Sequence, residues 1–399
     1  MRHILKSTSS YSILIFDRTN PVTAVEKFRA KKGLEGVVFD TTSISNVVPE
    51  RKSLYYRGYP VHQLAEKCKF EEVAHLLLYG ELPNANELTK FCTEERSERV
   101  LPAGVLATLK EMPREGHPMD AIRTCVSLLG MLPEFQTGNH PTAVLQQGTA
   151  LLAKTPTIVA AFHRLRHGEQ TIAPETTLSF SENFFHMCLG KVPKDEIVNA
   201  FDGALTLYAE HGFNASTFSA RTIASTLSDL CGAVCGATAA LKGSLHGGAN
   251  EAVMHLLKEI ETPDNTRRWL DNAIATKKKV MGFGHRVYRR GDSRVPQMTK
   301  YRDLLAKQCG GQKWVEISNI IESEMLSRKG IYPNLDFPAG PAYYMMGFEI
   351  DLFTPIFVMA RIVGWTAHVA EQLSDNRIVR PLAEYVGAQP RDVPGIEQR

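Results

Sequence analysis

The stretch "LFTPIFVMARIVGWTAHVA", beginning at Leu352, narrows the fold of this chain more than any other segment. It is apolar enough to demand burial, yet Pro355, Arg361 and His368 interrupt it, so it reads as a buried helix of a soluble protein and not as a membrane span. Arg361 then sets a condition on its surroundings. An unpaired buried charge costs several kcal/mol. Arg361 therefore needs an anion, either an internal carboxylate such as Glu371 or a substrate carboxylate, which suits the planar fork of arginine. Arg294 and Arg380 can join it.

Most of the chain carries the same helical signature. In "PVHQLAEKCKFEEVAHLLLYGELP" apolar residues fall at Val61, Leu64, Ala65, Val73, Leu76, Leu77 and Leu78, and the pattern stops at Gly80 and Pro83 as a helix pair should. "HPMDAIRTCVSLLGMLP" places Pro118 and Asp120 at a helix start and ends at Gly130 and Pro133. The segment from Ser179 to Phe213 predicts two helices split by Gly190 and Pro193, the second ending around His211 and Gly212. Alternating strand patterns are scarce, apart from "EGVVFDTTSISNV", which predicts a short hairpin. The expectation is an all-α protein.

The length of 399 residues allows roughly two or three domains. Breaks at "LKGSLHGGANEA" and "RKGIYPNLDFPAGPAYYMMG" set off a subdomain at residues 248–350, hinged by glycines and prolines and free to close over a ligand. Residues 1–32, in which lysines and arginines outnumber Asp17 and Glu26, read as a poorly packed N-terminal extension of a cytoplasmic protein. A net charge of +3 is small for this length, so nucleic acid is not an expected partner and any use of basic residues is local. Seven cysteines without a repeated C-x-x-C pattern point to reduced thiols, and Cys231 and Cys235 read as small apolar residues of one helix face, with no second pair at zinc-like spacing.

Three further stretches carry candidate chemistry. In "GSLHGGAN", His246 sits among glycines, either on a tight turn between helices or facing a ligand. In "KKKVMGFGHRVYRRGDSR", Gly282 and Gly284 precede His285, and Lys279, Arg289 and Arg290 are suited to phosphate oxygens; the segment is neither a Rossmann fingerprint nor a P-loop. In "YPNLDFPAG", Asp336 is either a helix N-cap or a carboxylate in an apolar pocket, where burial raises its basicity. Such residues permit carbon–carbon bond formation on an acyl thioester: a base takes a proton next to a carbonyl, a neutral donor holds the enolate oxygen, and arginines hold an anionic second substrate. No metal-ligand motif appears, and the chemistry needs none.

The blocks "LKGSLHGGANEAV", "MGFGHRVYRRGDSR", "YPNLDFPAG", "AEHGFNAST" and "FVMARIVGWTAHVAEQ", with "NRIVRPLAEYVG" after it, resemble the signature blocks of the citrate synthase family, in the family's order. The resemblance runs from about Gly33 to near the C-terminus. It implies a multi-helical fold with a large domain at 33–247 and 351–399 and a small domain at 248–350. By the same resemblance His246 donates to the thioester oxygen, Asp336 takes the α-proton and His285 polarises the ketone of oxaloacetate. His211, Arg294 and Arg361 match oxaloacetate-binding positions, and Arg380 matches an arginine that reaches the neighbouring site of a homodimer. Arg289, with Lys279 and Arg290, falls near the coenzyme A phosphates. No cofactor is implied, because coenzyme A enters with the acyl group and leaves as product. "LYAEHGFNASTFSARTIAS" and "DFPAGPAYYMMGFEIDLFTPIFVMARI" look more like family members that accept propionyl-CoA than like those of the central acetyl-CoA cycle. One methylene in a pocket is worth roughly 1–3 kcal/mol, so use of both propionyl-CoA and acetyl-CoA is expected. A silent CoA-binding sensor and a nucleic-acid binder are the competing classes.

Overall fold

A small antiparallel sheet opens the main body of the protein. The computed structural model describes residues 30–399 apart from Lys52, Arg286 and Arg289. Most of the proposed N-terminal extension, residues 1–29, thus lies outside the described residues. Residues 42–379 form one compact unit; among the described residues, 30–41 and the stretch Arg380–Arg399 form the other. In the smaller unit the described residues are largely exposed, and the Ala30 amide donates to the Glu384 carboxylate at 3.4 Å.

The sheet consists of β1 (Ser45–Val48), β2 (Ser53–Tyr56) and β3 (Tyr59–Pro60), with Ser45 opposite Tyr56 and Val48 opposite Ser53. The expected hairpin is thus displaced along the chain: only the end of "EGVVFDTTSISNV" is a strand, and its partner lies downstream, where Leu54 and Tyr56 supply the buried face. Sixteen helices follow among the described residues: α1 (Val61–Lys67), α2 (Phe70–Tyr79), α3 (Ala85–Ser97), α4 (Ala103–Glu111), α5 (Pro118–Leu129), α6 (Pro141–Arg166), α7 (Phe180–Leu189), α8 (Asp195–Tyr208), α9 (Ala215–Ser225), α10 (Leu230–Lys242), α11 (Ala249–Ile260), α12 (Thr266–Ala275), α13 (Val295–Cys309), α14 (Gln312–Lys329), α15 (Asp336–Met345) and α16 (Phe353–Ser374). The all-α expectation holds.

Local chemistry sets the helix ends. Ser179 accepts from the Glu182 amide while Glu182 reaches back to the Ser179 amide, a reciprocal cap that starts α7. Asn214 accepts from the amides of Ser216 and Thr217, both at 3.1 Å, and so starts α9. Gly80 and Gly190 end α2 and α7 in left-handed conformation, at the expected stops.

The segment from Leu352 becomes the central helix α16, which packs against α6, α8, α9 and α10. The stretch Ile350–Ser374 is long and apolar enough to cross a membrane, but 89% of its most apolar window is buried inside the protein. Helices α11 to α15 pack chiefly on one another, with α13 also meeting α8 and α11 meeting α16. Cys231 and Cys235 serve packing: Cys231 lies against Gly130 at the end of α5, and the Cys235 thiol donates to the Arg123 carbonyl at 3.3 Å.

Candidate active site

Five segments far apart in sequence bring candidate residues together: the turn from α8 into α9, the α10–α11 turn, the loop before α13, the start of α15 and the middle of α16. The sheet fixes the first of them. Tyr56 Oη donates to the Glu210 carbonyl at 2.8 Å and accepts from the Glu210 amide at 3.1 Å, and Ser45 Oγ donates to Glu210 Oε1 at 2.9 Å. These bonds hold the turn after α8, where the backbone delivers Tyr208, Glu210 and His211 in succession.

Asp336 is the first residue of α15, and its side chain does not cap the helix. Its carboxylate is partly buried, and Tyr208 Oη donates to Oδ1 at 2.8 Å. Burial pushes the Asp336 pKa up to about 6, although the Tyr208 hydroxyl and the charges of Arg294 and Arg361 pull it down. Of the two sequence readings, the desolvated carboxylate is the one found. Asn334 takes the capping role by accepting from the Asp336 amide at 3.1 Å.

The loop carrying His285 is zipped to the strand-like segment before Asp336. Gly284 N donates to the Tyr332 carbonyl at 2.9 Å, Asn334 N to the Gly282 carbonyl at 2.9 Å, and Phe283 bridges Pro333. Gly282, at φ 81°, is required by this approach: a Cβ there would lie 2.7 Å from Val253 Cγ2 and 2.9 Å from Phe337 Cβ. His285 Nδ1 accepts from the amides of Val287 and Tyr288 at 3.0 and 3.2 Å, so its proton sits on Nε2. Burial, reinforced by Arg294, lowers its pKa to about 4 and keeps the ring neutral. The His211 ring stands 5.1 Å away, its pKa driven well below the usual range by burial and then by Arg294. His211 Nε2 is buried without a hydrogen-bond partner in the protein.

Arg294 forks onto Asp292, with Nε to Oδ1 at 3.0 Å and Nη2 to Oδ2 at 2.7 Å. Asp292 also accepts from the Leu335 amide at 3.2 Å, which links this ion pair to the start of α15. Arg361, only 1% exposed, donates from Nε to the Tyr208 carbonyl at 2.8 Å and lies over the Phe357 ring at 4.7 Å. Its Nη1 has no hydrogen-bond partner in the protein. Glu371 is not its counterion: that carboxylate pairs with Arg221 at 2.8 Å and accepts from the Ser43 amide. Burial lowers the Arg361 pKa to about 10 against the opposing pull of Glu210, which leaves it charged at neutral pH.

His246 closes the α10–α11 turn, where its amide donates to the Gly243 carbonyl at 2.8 Å. The turn and the buried imidazole coexist. Nε2 lies 2.9 Å from Ser216 Oγ, which also accepts from Trp365 Nε1 at 3.2 Å and lies 2.7 Å from Asn214 Oδ1. The single Ser216 hydroxyl hydrogen serves one of two acceptors: given to His246 Nε2, it leaves Nδ1–H as the imidazole donor, and given to Asn214 Oδ1, it makes Nε2–H the donor. Burial, then Arg361, lowers the His246 pKa to about 3, so the imidazole is neutral. Phe357 joins the cluster, 6.1 Å from the His246 ring and 4.3 Å from the Tyr208 ring.

Four candidates remain. Lys279 and Arg290 are exposed, Arg289 lies outside the described residues, and Arg380 is an exposed residue of the smaller unit. Tyr208, Ser216, Asp292 and Phe357 were not singled out from sequence as site residues. Tyr208 and Ser216 flank His211 in the "LYAEHGFNAST" block, and Asp292 is the lone acid of the basic loop, but residue type alone gave none of them a role.

On an all-α scaffold, the cluster combines a carboxyl of raised pKa, neutral imidazoles and a buried guanidinium with an unpartnered donor. The family model described as citrate synthase, C-terminal domain, matches residues 33–382, and the chain belongs to that family. It is 52% identical over 373 residues to a 2-methylcitrate synthase of Mycobacterium tuberculosis, covering 94% of each chain. It is 50% identical over 371 residues to a citrate synthase of Mycolicibacterium smegmatis, covering 93% of this chain and 99% of that one. Among solved structures, the ternary complex of Thermoplasma acidophilum citrate synthase with carboxymethyl coenzyme A and oxaloacetate superposes with a TM-score of 0.88 at 31% identity, covering 93% of this chain and 100% of that one.

Proposed function

We propose that the protein is a 2-methylcitrate synthase, condensing propionyl-CoA with oxaloacetate and hydrolysing the resulting thioester to 2-methylcitrate and free coenzyme A. The observation that carries this reading is the Asp336 carboxylate, partly buried and raised to a pKa of about 6, in electrostatic reach of buried Arg294 and Arg361. Asp336 takes the α-proton of the acyl group while neutral His246, with its hydrogen on Nδ1, donates to the thioester oxygen as the enol forms. His285, protonated on Nε2, gives that proton to the oxaloacetate ketone oxygen as the new carbon–carbon bond closes. Arg361 Nη1, a buried donor without a protein partner, takes an oxaloacetate oxygen, His211 lines the same position with its buried Nε2 unpartnered, and Arg294 supplies a further positive charge. Water then cleaves the thioester. Coenzyme A acts as substrate and product, and no metal or resident cofactor enters.

Lys279, Arg289 and Arg290 are assigned to the coenzyme A phosphates, and residues 248–350 to a small domain that closes over the bound acyl group. A cytoplasmic homodimer completes the reading, with Arg380 of each subunit serving its neighbour's site. Support for the second subunit comes from the apolar C-terminal stretch, where Leu382 is 89% exposed and Tyr385, Val386 and Ile396 are likewise open.

The second reading, citrate synthase with acetyl-CoA, is favoured by the relative at 50% identity that bears that name. Thiol release on adding oxaloacetate, with kcat/KM compared for propionyl-CoA and acetyl-CoA on one sample, separates the two. Turnover of both with a propionyl preference is expected. An acetyl preference establishes the second reading, and no thiol release from either overturns both.

A further inference from the structure

At the far end of α6, outside the site described above, three ligand-type side chains converge. His163 and His167 are one helical turn apart, so both project from the same face, with ring centroids 5.0 Å apart. Glu349, on the connection between α15 and α16, turns its carboxylate toward both. It lies 3.1 Å from His167 Nε2 and 3.9 Å from His163 Nδ1. The second distance is too long for a hydrogen bond. His163 Nδ1 is nonetheless buried and has no hydrogen-bond partner in the protein, a state that normally calls for a ligand.

We propose that His163, His167 and Glu349 bind one divalent transition-metal ion of the zinc class, with a fourth position left to water. Two imidazoles at i and i+4 plus one carboxylate make an open three-ligand set for such an ion. The three donor atoms already lie within 4.8 Å of one another. Tetrahedral ligation with bonds of about 2.0–2.1 Å brings such atoms to about 3.3 Å apart. His167 and Glu349, with side chains 40% and 47% exposed, are free to rotate by the remaining amount, whereas His163, at 11%, is fixed by packing. The nearby Arg166 does not repel the cation unopposed, because it is ion-paired with Asp351. Bound there, the ion joins the end of α6 to the connection between the helix that opens with Asp336 and the helix that carries Arg361. The site is structural; the proposed reaction does not pass through it.

Zinc chloride alone, titrated calorimetrically into the full-length protein after chelator treatment, tests this. The parent is expected to bind one equivalent more than His163→Ala/His167→Ala, and zinc is expected to raise the melting temperature of the parent but not of the double variant. Cobalt(II) should give the visible absorption of a tetrahedral site in the parent and lose it in the variant. Should the double variant fail to fold by circular dichroism, Glu349→Gln, at an exposed position, replaces it, with zinc affinity expected to fall at least tenfold. Equal zinc stoichiometry and affinity in parent and variant, or no zinc bound by the parent, overturns the proposal.

Discussion

At the scale of single residues, the Tyr208–Asp336 hydrogen bond is the most testable feature. The phenol donates to the charged carboxylate, so it holds the proton affinity of Asp336 down against burial, with Arg294 and Arg361 acting in the same direction and Asp292 against them. Tyr343, the other phenol near this carboxylate, has its hydroxyl unpartnered. The base must be ionised to act, so turnover should fall as pH drops through about 6. Tyr208→Phe removes a bond to the charged form, raises the Asp336 pKa and should move the acidic limb of the kcat profile upward by on the order of one pH unit. An unmoved limb would show that another group governs it. Asp336→Asn separates catalysis from stability. The native carboxyl holds its proton more tightly than the unfolded one, so stability is lost as pH rises from about 4 through about 6, and the whole cost is present at pH 7. The amide carries no such charge and can still accept from Tyr208. Turnover should vanish while stability at pH 7 rises by about 3 kcal/mol, read from denaturant unfolding of the two proteins.

At the scale of elements, the site depends on close backbone approaches that only glycine permits. The Gly282 contact with Phe337 and Val253 joins the His285 loop to α15, so a displaced loop separates the two proposed catalytic groups. Gly282→Ala should cost about 2–4 kcal/mol, combining left-handed strain with overpacking. Thermal melts and kcat should both fall, and a variant with wild-type stability would show that the loop gives way freely. Gly364 plays the corresponding part on α16. A Cβ there would lie 2.5 Å from the Ala209 carbonyl oxygen and from Glu210 Oε2, the approach that brings Arg361 within reach of the Tyr208 carbonyl. Sequence punctuation marked the helices through Gly80, Gly190 and Pro118 because those residues act locally. The displaced hairpin shows the converse: "EGVVF" has the residue types of a strand, but pairing depends on which neighbour is in register.

At the scale of the whole molecule, the homodimer reading makes a complementation prediction. Asp336→Asn and Arg380→Ala should each be inactive alone. After mixing with subunit exchange, a heterodimer keeps one site with an intact Asp336 and an intact Arg380 from the other subunit. About a quarter of wild-type activity should return, whereas no recovery with proven exchange would place Arg380 in its own subunit's site or in none. The sequence by itself determined the helical class and the burial of α16 and singled out the acid, the imidazoles and the arginines as candidates, because hydrophobic period, capping chemistry and residue type are local properties of the chain. It left open whether Asp336 caps a helix, whether Glu371 neutralises Arg361, and which side chains touch the proposed base. Those answers required the tertiary structure. Tyr208 meets Asp336 across 128 residues and Arg221 takes Glu371 across 150, and such pairings arise only when packed helices place distant charges and hydroxyls in the same dry interior.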